Sequence, residues 1–148
     1  MPAWASTADL LVYAPDIQDY GQTDWSAELA LAQADVREWV VSSWWAPILQ
    51  RRGFWPPYYE LDEALLNIAA LKPAVCFRAL GWEILPKLAK WSDTDGDSFS
   101  RRAEWFRDRY HDELGKVAKM ALYDWNRDSR FSDWERDLKG RTIRVVRA

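Results

Sequence analysis

The sequence predicts a mainly α protein: a small helical bundle with an extended N-terminal arm before it and a strand-like C-terminal tail after it. Three observations carry that reading. Phe99, Ala103, Phe106, Tyr110, Leu114, Val117 and Ala121 recur every three or four residues, the spacing that lines one face of an α-helix. A chain of 148 residues with 49% hydrophobic and 29% charged side chains has the balance of one globular domain. From Lys139 onward, β-branched and basic residues alternate, which suits a strand. The expected division is an extended arm over 1–22, a helical bundle over 23–138 and a basic docking tail over 139–148.

Each element follows from local chemistry. Pro2, Pro15 and Gly21 break up the first segment, which shows no helical period and reads as extended. Thr23 or Asp24 can cap the first helix, whose face carries Trp25, Leu29, Ala32, Val36, Trp39, Val40 and Ser43. Pro47 lacks an N–H and disfavours helix at Ala46, so this helix is expected to end near Trp45. Residues 46–59 hold Pro47, Gly53, Pro56 and Pro57, giving a stiff loop whose aromatics Phe54, Trp55, Tyr58 and Tyr59 form a candidate contact surface. A second helix is expected from Leu61 or Asp62 to Lys72, with Pro73 starting a new or kinked helix. Phe77, Leu80, Gly81, Ile84 and Leu88 then share a face that should pack against Phe106, Tyr110, Leu114 and Val117.

Composition narrows the function. The net charge of -3 supplies no general basic field for nucleic acid or an anionic membrane. The most apolar stretch, Ala64 to Leu88, is interrupted by Lys72, Pro73, Arg78, Glu83, Pro86 and Lys87, so a soluble protein made in the cytoplasm is expected. Cys76 stands alone among Ala74, Val75 and Phe77 and reads as a buried small hydrophobe. His111 is the one histidine and falls on the polar side of the long helix, and no glycine-rich phosphate loop occurs, so a non-enzymatic role is expected. Eleven tryptophans exceed what one core of this size needs, and tryptophan suits interfaces, where an apolar ring and an N–H donor are both used.

One motif has ligand spacing. Asp124, Asn126, Asp128 and Glu135 occupy positions 1, 3, 5 and 12 of a calcium loop, with the Arg130 carbonyl at position 7. Ser129 stands where such a loop needs glycine for its sharp turn. Asp93, Asp95, Asp97 and Glu104 repeat the spacing, but Ser98 and Ser100 depart from it, and an acidic turn capping the long helix is the expected reading. No other cofactor is indicated.

The order of elements, with Ala69-Leu71-Lys72-Pro73-Ala74 entering one helix and Arg102-Ala103-Glu104-Trp105-Phe106-Arg107-Asp108-Arg109-Tyr110 in the long one, resembles bacteriophage head-to-tail adaptor (connector, head-completion) proteins. The likeness covers about residues 20–148. It implies a structural virion protein at the neck, forming a twelve-fold ring with the portal protein above and a neck or tail completion protein below. In that setting the genome passes through the ring without being read. The tail residues Arg141, Ile143, Arg144, Val145, Val146 and Arg147 are then the expected docking strand. The contrasting expectation is an EF-hand-like calcium-binding regulatory protein built on the Asp124 loop.

Overall fold

The computed structural model describes residues 2–51, 60–92, 94–125 and 127–132. They form a mainly helical bundle: α1 (Thr7–Tyr13), α2 (Ser26–Trp39), α3 (Ala46–Arg51), α4 (Ile68–Arg78), α5 (Leu85–Trp91) and α6 (Gly96–Val117). The long helix α6 packs along α4 and α5, and α2 packs on α4 as well. The predicted antiparallel core is present. Phe77, Leu80, Ile84 and Leu88 are buried, as are Phe106, Tyr110, Leu114 and Val117, and the Phe77 and Phe106 rings lie 5.9 Å apart. Cys76 is fully buried, as its neighbours implied. No helix among the described residues is long and apolar enough to cross a membrane.

The expected extended N-terminal arm is corrected. Ser6 and Asp9 form a capping box that starts α1, and Pro15 opens a 3-10 turn over Pro15–Gln18. Trp4, Leu10 and Ile17 are buried in the same core as α2 and α6. The segment is tied down by polar contacts too: Gln33 accepts from the Trp4 N–H at 2.8 Å and donates to the Pro2 carbonyl at 2.9 Å. Short apolar pairs spaced by a single helical turn give no visible period, which is why the sequence reads as extended here.

Two proline expectations also change. The first helix does not stop near Trp45; it passes through a π-helical turn over Val40–Trp45 and continues as α3, with Pro47 in its first turn. A second π turn, Ala79–Ile84, leads into α5, where Pro86 occupies the same early position. In each, the residue before proline donates five residues back, Ala46 N–H to the Val41 carbonyl and Leu85 N–H to the Leu80 carbonyl. This wider turn gives the ring room that an α-turn denies it. It also resets the register: Trp44 and Trp45 point inward and Ser43, expected on the buried face, is exposed. Pro73 lies inside α4 without ending it, and Asp62 caps only a short 3-10 turn, Glu63–Leu65; α4 itself is capped by Asn67, which accepts from Ala70 N–H at 3.2 Å.

The segment after α6 returns to the start of α4. Asn67 N–H donates to the Leu122 carbonyl at 2.8 Å and Asp124 N–H to the Leu65 carbonyl at 2.9 Å, an isolated antiparallel bridge between Leu66 and Tyr123. Trp45, Tyr123 and Trp125 close it with ring centroids 4.8 to 5.3 Å apart.

Candidate functional site

Most of the residues nominated by sequence lie outside the described residues: Arg141, Ile143, Arg144, Val145, Val146 and Arg147 of the tail, Phe54, Trp55, Tyr58 and Tyr59 of the aromatic loop, and Asn126 and Glu135 of the acidic loop. The rest of that acidic loop is organised around Asp124. Its buried carboxylate accepts from Asp128 N–H at 3.2 Å and Ser129 N–H at 2.8 Å, and Asp128 in turn accepts from Arg130 N–H at 2.8 Å. Ser129 has φ 64 and Arg127 φ 59, so the left-handed turn forms without the expected glycine. Among the described residues the Asp124 and Asp128 carboxylates, accepting from backbone N–H groups, therefore build a tight turn, and no group of three metal-ligating side chains converges. At the other acidic run, Asp95 is the residue before α6 but its side chain makes no capping bond; Asp97 sits in the first turn, where the helix dipole favours it.

Two surfaces do stand out, one on each flank of α6. Side chains on a helix advance by about 100° per residue, so Trp105 and Arg109 share one flank and Arg107 and His111 the opposite one. On the first flank Trp105 is 53% exposed. The Arg109 guanidinium lies over its ring at 4.9 Å, and Phe106 meets its edge at 4.9 Å. Ring contacts run on from Phe106 through Phe77 to Tyr13, beside the exposed Val12 of α1. Arg102, on the same flank, makes two hydrogen bonds to Asp16, at 2.7 and 2.8 Å, and so locks the N-terminal segment beside it. Those bonds hold the Asp16 carboxyl below its ordinary range.

The second flank faces the π turn Ala79–Ile84. The Trp82 ring carries the Arg78 guanidinium at 4.5 Å and that of Arg107 at 5.5 Å, with His111 and Tyr110 against its edge. Arg78 pairs with Asp35 of α2 at 2.5 Å and stands 3.6 Å from Glu83, while Arg107 donates to the Gly81 carbonyl at 2.9 Å. Beyond Trp82 a groove of about 390 Å³ opens between α2 and α5, lined by Leu31, Trp82, Glu83, Pro86, Lys87 and Lys90. Leu31 is 56% exposed at its lip. Lys87 crosses the floor: it donates to Glu28 at 2.8 Å and Gln22 at 3.2 Å and lies 5.1 Å over the exposed Trp91 ring. Burial alone would raise the Glu28 carboxyl, but the hydrogen bonds from Lys87 and Gln22 hold it below its ordinary value.

The tryptophans among the described residues thus divide between roles. Trp4, Trp25, Trp44 and Trp45 fill the core, Trp39, Trp82 and Trp125 pack partly against it, and Trp91 and Trp105 face outward. The outward pair lies off the apolar stripes that helical period picks out. Its one sequence signal is a tryptophan standing off the apolar stripe, as Trp105 does beside Phe106. Compared with protein-family models, curated proteins and solved structures, the chain matches none of them.

Proposed function

We propose that this chain is a structural ring subunit, a head-to-tail adaptor that joins the portal to the neck or tail of a tailed bacteriophage, acting by assembly and without a catalytic step. The carrying observation is that two chemically different aromatic faces, Trp105 with Arg109 and the groove beside Trp82, occupy opposite flanks of α6. A cyclic ring needs such unlike faces, because each copy meets its neighbours through two different surfaces. Tryptophan, tyrosine and arginine are the side chains that anchor protein interfaces. The basic tail, Arg141 to Arg147, is the proposed docking strand toward the portal, and calls for an acidic partner surface.

The test is sedimentation and electron microscopy of the purified chain, alone and with the portal protein of a tailed phage. A closed ring seated on the portal is expected, and deletion of residues 140–148 should leave the ring but stop it joining the portal. A chain that stays monomeric in both conditions overturns the reading. A second reading, an EF-hand-like calcium-binding regulatory protein, is favoured by the left-handed Ser129, which supplies the bend that the missing glycine would otherwise make. Calorimetric titration with calcium decides it. Low-micromolar binding abolished by Glu135→Gln would replace the ring reading with this one.

A further inference from the structure

We propose that in the ring the Trp105 ridge of one copy seats in the α2–α5 groove of the next, making a repeating head-to-tail contact. This rests on the ring reading and names its interface. The ridge is preorganised. Arg109 covers one face of the Trp105 ring and Phe106 props its edge, so little freedom remains to be lost when a partner covers the other face. The groove offers that cover: Leu31, Pro86, the Trp82 ring and the alkyl stems of Lys87 and Lys90 surround a space of about 390 Å³.

The charges fit the same direction. Lys90 is exposed on the groove rim and Asp108 is exposed on the outer face of α6, one turn from Trp105; neither has an ion-pair partner among the described residues. Glu83 is only loosely held by Arg78, at 3.6 Å, and can meet the incoming Arg109. Opposite charges of this kind fix register between copies more than they add affinity. Placement decides the symmetry. The groove's Trp82 packs on Arg107, Tyr110 and His111, the flank of α6 away from Trp105, so ridge and groove face different neighbours and the contact is heterologous.

The experiment uses the full chain with Cys76 in place, since that thiol is buried. Asp108→Cys and Lys90→Cys are made as separate variants and exposed to mild oxidant singly and as an equal mixture. A disulfide-linked pair is expected in the mixture and in neither variant alone. Trp105→Ala, at a position more than half exposed, is expected to weaken self-association by about tenfold or more with helicity by circular dichroism unchanged. Lys90→Asp should weaken it as well, with recovery when Asp108→Lys is added. Self-crosslinking of either variant alone, or association indifferent to Trp105→Ala, overturns this interface while the ring reading stands. Wild-type protein that does not associate, alone or on the portal, overturns the ring reading itself.

Discussion

Asp16 and Arg102 show how one bidentate pair closes a chain segment onto a helix. The Arg102 hydrogen bonds lower the Asp16 carboxyl against an opposing effect of burial, and they raise Arg102 in turn. A depressed carboxyl contributes stability that is complete above its unfolded value, near 3.8, and is lost as pH falls through the lower folded value. Asp16→Asn should therefore remove part of the acid limb of a stability profile. Both side chains are about one-third exposed, so solvent screening limits the cost at neutral pH to about 0.5–1 kcal/mol, read by denaturant titration. Cys76 behaves in the opposite sense. Burial pushes its thiol up to about 12, so it should resist a thiol-specific reagent at pH 8 in the folded protein and react fully once unfolded. The stability linked to that proton is complete below the ordinary thiol value of 9.0 and is lost as pH rises toward about 12.

Among the elements, α6 and the second π turn approach closely at Gly81. A Cβ at Gly81 would lie 3.0 Å from Arg107 Cγ, 3.2 Å from the Arg107 backbone N and 3.4 Å from the Ala103 carbonyl oxygen. Gly81→Ala should cost about 1–3 kcal/mol, because two of those neighbours are backbone and cannot step aside. A thermal melt unchanged by it would mean that the helices do not approach this closely. Leu114→Ala, on the buried stripe of α6, should cost about 2–5 kcal/mol in a denaturant melt. An unchanged midpoint would place the stripe on the wrong side of the helix.

At the scale of the molecule, the N-terminal segment is part of the core. Trp4, Leu10 and Ile17 are buried, and Gln33, Lys72 and Arg102 hold the segment from α2, α4 and α6. Deleting residues 1–18 is expected to lower the melting temperature steeply, with loss of cooperative unfolding followed by circular dichroism. A detachable arm would leave the melt as it was. The deletion also strips the cover beside Trp105, so it should expose apolar surface and promote aggregation.

Sequence alone determined what depends on period and composition. The stripe from Phe99 to Val117, the facing set from Phe77 to Leu88 and the burial of Cys76 follow from apolar side chains recurring at helical spacing, because that spacing forces one face out of water. The tertiary structure decided what depends on groups far apart in the chain. Whether Pro47 ends a helix or rides a π turn depends on a core that gains Trp44 and Trp45 when the turn widens. The fate of residues 2–18 rests on partners such as Gln33 and Arg102, which no local pattern reveals. The two candidate faces have the same origin. Trp105 and the Leu31 groove become surfaces only when packing has chosen which flank of each helix to cover, and a local window cannot make that choice.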